Sequence, residues 1–255
     1  MKIILLDLDG TALSDRKIIE PETRRILQQC HSNGILIGFV TARTKRKLYD
    51  LVEGIPFDFM ASYDGALIET AAGEIIAKHE IENEYATCLI DKLKQEVQDG
   101  VFAYFEPYYY WDDIITMRGS SCQYDYRSVD NRQLGACQRV RLHYEKSKSY
   151  PPLKLHRIPD LSVYREGNDF IIGHVKANKF QATKAILEYY HIKGCDTVAF
   201  GDEMADVGMF SLCQYSVAMG NAPSSVKIHA KYTTAANNEN GVAAFLEKCL
   251  HEQFS

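Results

Sequence analysis

Met1-Lys2-Ile3-Ile4-Leu5-Leu6-Asp7-Leu8-Asp9-Gly10-Thr11 opens the chain with a short apolar run that ends on two carboxylates and a glycine. Ile3 to Leu6 has the unbroken apolar character of a strand buried on both faces, as in a parallel sheet. Ionised carboxylates beside such a strand are costly unless a cation or hydrogen-bond donors receive them. Asp7 and Asp9 stand two apart, so an extended backbone would point them the same way, and Gly10 lets the chain turn behind them. This pattern implies a functional site at the end of the first strand.

The sequence that follows repeats the rhythm. Pro21 to Asn33 places Ile26, Leu27 and Cys30 among charges and is followed by Gly34, which predicts a helix with a glycine stop. Ile35 to Val40 is a second apolar run ending in Thr41-Ala42-Arg43, and strand, helix, strand at this spacing is a βαβ unit. A helix over Thr44 to Val52, an apolar segment Phe57 to Ser62 and Asp64-Gly65-Ala66-Leu67-Ile68 continue the alternation. From about Ile81 the texture changes to an amphipathic helix near Tyr85 to Gln98, an extended aromatic stretch Val101 to Trp111, and charge-rich sequence to about Pro159. Two strands, Leu161 to Arg165 and Asp169 to His174, are then joined across a tight turn at Glu166-Gly167-Asn168. From Lys179 the α/β rhythm returns, with helix Ala182 to Tyr190, strand Thr197 to Phe200, the turn Gly201-Asp202-Glu203-Met204-Ala205-Asp206, strand Tyr215 to Met219 and a last helix near Gly241 to His251. The expected fold is a doubly wound, mostly parallel α/β core, residues 1–81 and 176–255, interrupted by an α+β cap domain over 82–175.

At 255 residues the chain is long enough for such a two-lobed arrangement. Its 29 Lys and Arg against 34 Asp and Glu give a net charge of -5, so no global charge points to nucleic acid or an anionic membrane. Seven scattered cysteines without a CxxC pair suit reduced thiols better than a disulfide framework or a zinc site. The apolar run before Asp7 is too short for a signal-peptide core, and no window approaches the ~20 apolar residues of a membrane span. A cytoplasmic protein is expected, with no nucleic-acid or membrane partner. The sequence sets no oligomeric state.

Asp7/Asp9, Thr41 and Asp202/Asp206 each follow an apolar strand, and Lys179 stands at a helix start before the third. In an open parallel sheet the carboxyl ends of neighbouring strands converge on one edge, where ligands bind. Their chemistry is coherent for phosphoryl transfer. Asp7, Asp202 and a backbone carbonyl from the intervening turn offer the hard oxygen ligands that Mg²⁺ prefers. One aspartate can attack phosphorus while a metal and a lysine offset charge repulsion, a threonine hydroxyl holds an equatorial oxygen, and a second acid moves the proton.

Asp7-Leu8-Asp9-Gly10-Thr11, Thr41, Lys179 and Gly201-Asp202-xx-x-Asp206 resemble, in order, the four motifs of the haloacid dehalogenase-like phosphatases. Asp64-Gly65-Ala66, the insertion between the threonine and lysine motifs, and Val217-Ala218-Met219-Gly220-Asn221-Ala222 resemble the Cof-type branch. The resemblance implies a Rossmann-like core. It makes Asp7 the nucleophile of an aspartyl-phosphate, Asp9 the general acid and base, and Asp7, Asp202 and the Asp9 carbonyl the Mg²⁺ ligands. Asp206 would stand behind them, orienting a metal-bound water or the lysine. Thr41 and Lys179 would bind the phosphoryl group, with Arg43 and Asn221 near the substrate. Four positions depart from the usual pattern: Ala205 replaces the asparagine of GDxxND, Asp64 replaces an asparagine, Ala42 a glycine, and Phe180 a glycine after the lysine. Ala205 removes a supporting amide, and a carboxylate at Asp64 would repel an anion unless protonated or paired.

The expected activity is Mg²⁺-dependent hydrolysis of a small phosphate ester, such as a sugar phosphate, with specificity drawn from a cap that closes over the substrate. Alternatives are a phosphomutase using the same intermediate and a non-catalytic binding module on the same fold. The aromatic stretch Tyr104 to Trp111 reads first as the small core of the cap and second as a substrate-stacking surface. The basic run Arg139 to Arg157, with Arg141, Lys146, Lys148 and Lys154, reads as a solvated face or as steering for anions. Glu203 reads as an exposed acid at a helix start.

Overall fold

The computed structural model describes residues 1–96, 100–117, 121, 123–126, 134–143 and 160–253. These fall into two compact units, Met1–Lys78 with Asn178–Ser255, and His79–Ala177. The inserted unit begins three residues before and ends two residues after the expected 82–175. At its leading edge Ile81 bridges to Cys137, which ties that segment to the inserted unit.

In the first unit Ile3–Leu6 form β1, and all four side chains are excluded from solvent. Pro21–Ser32 form α1, Leu36–Val40 β2, Lys45–Leu51 α2, Phe59–Ser62 β3, Leu67–Thr70 β4 and Ile75–Lys78 β5. Strand β1 pairs in parallel with β2, Ile3 opposite Leu36, and β2 pairs in parallel with β3. Ile4 and Leu6 pack with Ile26, Leu27 and Cys30 of α1, whereas Ile3 and Leu5 belong to a second cluster with Phe59. Alternate residues of one apolar strand thus feed two cores, as a sheet covered on both faces requires. Helix α1 starts at Pro21, whose fixed φ suits a first helical position, and ends before Gly34, at φ 77°.

The alternation does not continue past β3. Tyr63 and Asp64 adopt left-handed backbone, φ 54° and 59°, and the chain turns back so that β4 runs antiparallel to β3 and β5 antiparallel to β4. Asp64 to Ile68, expected to continue the alternation, returns as a hairpin instead, because Tyr63–Gly65 forms a single 3₁₀ turn, too short for the crossover that a parallel strand needs. Strand β5 lies partly exposed at the sheet edge, and its four residues between turns carry too little pattern to mark a strand in the sequence.

The inserted unit holds helix α3, Asn83–Glu96, and strands β6 Val101–Phe105, β7 Tyr108–Trp111, β8 Ile114–Met117, β9 Gln123–Asp125, β10 Arg139–His143, β11 Leu161–Glu166 and β12 Asp169–His174. The strands form one antiparallel sheet in the order β11-β12-β10-β6-β7-β8-β9. Val101 to Trp111 is therefore two strands rather than one extended stretch. The chain reverses at Glu106-Pro107, and Phe105 pairs with Tyr108. The aromatics divide accordingly: Phe105 and Tyr110 join the core with Leu89, Ile90 and Leu93 of α3, while Trp111 is 56% exposed and stacks on Phe102. Arg139 is buried in β10 and Arg141 lies 4.3 Å over the Phe102 ring, so these two are not a solvated face. Lys146, Lys148, Lys154 and Arg157 lie outside the described residues.

The chain then returns to the first unit with α4 Lys179–Tyr189, β13 Thr197–Gly201, α5 Val207–Phe210, β14 Tyr215–Ala218, α6 Ser224–Lys227, β15 Tyr232–Thr233 and α7 Gly241–Gln253. Helix α4 begins three residues before the expected Ala182, capped by the Asn178 side chain, which accepts from the Gln181 N–H at 3.0 Å. Strand β13 pairs in parallel with β1, Ile3 opposite Thr197, and the sheet runs β15-β14-β13-β1-β2-β3-β4-β5. Strands β13, β1 and β2 lie side by side and parallel at its centre. Their carboxyl ends share one edge, which carries Asp202, Asp7 and Thr41. Among the described residues no helix is long and apolar enough to cross a membrane.

Candidate active site

Asp7 follows β1 directly, and its backbone N–H continues the sheet by donating to the Phe200 carbonyl at 3.1 Å. Its side chain is almost sealed from solvent, as is Lys179 in the first turn of α4. Lys179 Nζ donates to Asp7 Oδ1 at 2.6 Å and to Asp206 Oδ1 at 2.6 Å. The other Asp206 oxygen accepts the N–H groups of Asp202 and Glu203, both at 2.9 Å, so a fully buried carboxylate has donors on each oxygen. Burial pushes the Asp7 carboxyl well above the ordinary carboxylate range, with Lys179 pulling the other way. Burial also favours a neutral Lys179, but the Asp206 and Asp7 carboxylates outweigh it and hold the ammonium charged.

Asp202 closes the group. Its Oδ1 accepts from Thr11 Oγ1 at 2.9 Å and its Oδ2 from Asn221 Nδ2 at 3.3 Å. Burial lifts its carboxyl to about 6, with Thr11 opposing and Asp206 adding to the rise. Gly10 at φ 72° passes so close that a β-carbon there would lie 2.2 Å from Asp202 Oδ2. Here the glycine is needed twice, for its backbone and for the space. One carboxylate oxygen each from Asp7, Asp202 and Asp206 lies within 4.8 Å of the others.

Asp9 sits apart from that trio in its bonding. Arg43 grips it with two prongs, Nε to Oδ2 at 2.5 Å and Nη2 to Oδ1 at 2.6 Å, and Lys17 Nζ reaches Oδ1 at 2.7 Å. Partial burial raises its carboxyl, but the two cations outweigh this and hold it at about 2. Thr41 is buried after β2, and its hydroxyl accepts from the Arg43 N–H at 3.2 Å. Its carbonyl accepts from the N–H of Asp64, so the left-handed turn after β3 braces the threonine loop.

A sequence model of the haloacid dehalogenase-like hydrolases matches residues 4–246, which takes in every one of these positions. The chain belongs to this family. This haloacid dehalogenase-like hydrolase is 24% identical over 290 residues to the 5-amino-6-(5-phospho-D-ribitylamino)uracil phosphatase YwtE of Bacillus subtilis, covering 100% of both chains. It is 23% identical over 257 residues to phosphoglycolate phosphatase 1 of Saccharolobus solfataricus, covering 100% of this chain and 98% of that protein. A haloacid dehalogenase-like hydrolase from Bacteroides thetaiotaomicron shares the fold with a TM-score of 0.80 at 21% identity, over 97% of this chain and 99% of that one.

The donors fit the metal that such a hydrolase implies. Asp7, Asp202 and Asp206 present only carboxylate oxygens, the hard ligands that suit a small divalent cation, and the group includes no thiol or imidazole. Lys179 is the cation that offsets two of them in this arrangement.

The structure therefore brings Asp7, Lys179, Asp202 and Asp206 into one bonded group, and Asp9 with Arg43 into a second. Asn221, expected near the substrate, stands beside Asp202: its Nδ2 donates to the Gly10 carbonyl at 2.8 Å as well as to Asp202, and its Oδ1 accepts from the Asn237 N–H. Asp206, expected behind the metal ligands, bonds to Lys179 and has one oxygen within the carboxylate group. Sequence reasoning passed over Thr11, Lys17 and Asn237. Thr11 had a signal in its place beside Gly10. Lys17 and Asn237 lie in polar loops whose partners are distant in sequence, and nothing local marks them.

Proposed function

We propose that this haloacid dehalogenase-like phosphatase hydrolyses a small phosphorylated metabolite, a sugar phosphate or similar, through an aspartyl-phosphate on Asp7 with Mg²⁺ as cofactor. The observation that carries the reading is the buried Asp7 carboxylate held by Lys179 within a group of three carboxylates. A nucleophile of this kind is useful only when the charge of an incoming phosphate dianion is offset. The relatives support the substrate class, since two of them are named for the phosphoesters of small metabolites.

Asp9 is ionised while Arg43 and Lys17 hold it, so it takes up a proton as Arg43 turns to the phosphoryl group; an Asp7 oxygen then forms a bond to phosphorus as the bond to the ester oxygen breaks, and that oxygen leaves with the proton from Asp9. Asp9, now ionised, takes a proton from water as the water oxygen attacks the phosphoryl group, which departs as inorganic phosphate and restores Asp7. Lys179 balances the charge on Asp7, and the Thr41 hydroxyl and the Arg43 guanidinium receive phosphoryl oxygens. Asp7, Asp202 and the Asp9 carbonyl would hold Mg²⁺, with Asp206 behind them. When bound, the ion supplies positive charge against the phosphate oxygens.

The test is phosphate release from a panel of small phosphomonoesters with and without Mg²⁺, run beside Asp7→Asn. Release that needs both Mg²⁺ and Asp7 is the expected result. Isomerised sugar phosphate without free phosphate would instead identify a mutase. Binding without turnover across the panel would identify a non-catalytic module.

A further inference from the structure

Lys17 combines two features that a solvated surface lysine does not need. Its backbone is left-handed, φ 60°, a conformation that disfavours a residue with a β-carbon and suits glycine. Its ammonium nevertheless lies 2.7 Å from Asp9 Oδ1, across eight residues of chain. The turn that presents it is pinned: Lys17 N–H donates to the Ser14 carbonyl at 2.8 Å and Ser14 N–H to the Ile18 carbonyl at 2.9 Å. Asp15, inside that turn, is tied by Asn237 Nδ2 at 3.2 Å and Asn238 Nδ2 at 2.8 Å, with Leu13 and Ile19 buried on either side. A residue held at an unfavourable φ on an anchored turn, with its charge aimed at one carboxylate, is the pattern of a functional constraint.

Stability does not account for the pair. The side chains of Lys17 and Asp9 are 56% and 39% exposed, and ion pairs of that exposure contribute little to folding. Its value lies in geometry. Among the described residues Asp9 Oδ2 is held by Arg43, whereas Oδ1 is shared between Arg43 and Lys17. If Arg43 turns to a phosphoryl oxygen, Asp9 loses both prongs at once and keeps its bond to Lys17.

We infer that Lys17 is a positioning residue for the reaction, retaining the Asp9 carboxylate in place while Arg43 exchanges it for the phosphoryl group. The inference rests on the phosphatase reading given above. It separates the two cations by role: Arg43 acts on substrate binding, and Lys17 acts on turnover through Asp9.

The experiment compares wild type, Lys17→Gly, Lys17→Gln and Lys17→Arg in p-nitrophenyl phosphate hydrolysis with Mg²⁺, with thermal unfolding of each protein. Glycine relieves the backbone, so Lys17→Gly should unfold within about 3 °C of wild type or above it. Its kcat should fall about ten- to a hundredfold, the scale of one lost charged hydrogen bond, while KM stays within about threefold. Lys17→Gln should match that loss, and Lys17→Arg should recover most of it. Unchanged kcat in Lys17→Gly and Lys17→Gln overturns the inference. So does a rise in KM alone, which would make Lys17 a substrate contact, or a loss of rate that only tracks lost folded protein. A wild type that releases no phosphate sinks the proposed function itself, whereas an active wild type with an equally active Lys17→Gly sinks this inference alone.

Discussion

Lys179 Nζ lies 2.6 Å from Asp7 Oδ1, and neither side chain has more than a few per cent of its surface in solvent. Such a pair is costly to break from one side, because the survivor stays buried and charged. The two substitutions should therefore differ. Asp7→Asn leaves Lys179 its bond to Asp206 and should keep the fold while losing at least about a thousandfold in phosphate release. Lys179→Met leaves Asp7 and Asp206 without a cation and should cost roughly 3–5 kcal/mol in metal-free urea unfolding as well as activity. Near wild-type turnover in Asp7→Asn would refute the nucleophile assignment.

Gly10 and Gly34 are both left-handed, at φ 72° and 77°, but only Gly10 has neighbours in the way. Gly34→Ala should cost only the backbone term, roughly 1–2 kcal/mol, and leave hydrolysis intact. Gly10→Ala adds a β-carbon 2.2 Å from Asp202 Oδ2 and should weaken Mg²⁺ binding by calorimetry and abolish turnover. Equal behaviour of the two variants would show that Asp202 can move aside freely.

Glu69 on β4 is 1% exposed, with Lys45 Nζ 2.6 Å from Oε1 and 2.7 Å from Oε2. Lys45→Ala strands that carboxylate and should destabilise by roughly 3–5 kcal/mol in urea unfolding. Lys45→Leu with Glu69→Leu removes both charges and should recover most of the loss. A double variant as unstable as Lys45→Ala would show that packing, rather than the lone charge, sets the cost.

His79 stacks on His174, ring centroids 6.3 Å apart and planes at 19°. Burial, with the charges of His174 and Lys176, holds the His79 imidazole below its ordinary value, so the fold favours the neutral ring. The unfolded chain then takes up a proton first as pH drops. Stability from this group is complete above its unfolded value of about 6.5 and is lost as pH falls through the lower folded value. His79→Phe keeps a stacked ring without the titration. Urea midpoints of wild type should fall relative to the variant between about pH 7.5 and pH 5, and parallel curves would count against it.

The arrangement of the core was legible because each signal is local. Ile3–Leu6 has no polar residue to spare for a solvated face, and Pro21 and Gly34 mark the ends of α1 by their backbone preferences. Other features depend on contacts that no local signal marks in full. The reversal at Tyr63 and Asp64 had one local mark, the Asp64-Gly65 pair, but the left-handed Tyr63 that begins it carries none, and Val101 to Trp111 looks uniformly extended until Glu106-Pro107 is seen to turn. The bonds of Asn221 are equally non-local, since its partners Gly10 and Asp202 are brought to it by the sheet.

The sequence by itself determined which strands carry chemistry at their ends and which residue types stand there, because strand burial, helix caps and the order of Asp7, Thr41, Lys179 and Asp202 are written along the chain. Only the tertiary structure decided the partners. Asp7 and Asp9 are two residues apart, yet one is sealed against Lys179 and the other is clamped by Arg43 and Lys17. A charge is set by what surrounds it, and those surroundings are assembled from distant segments, Lys179 lying 172 residues from Asp7 in the chain.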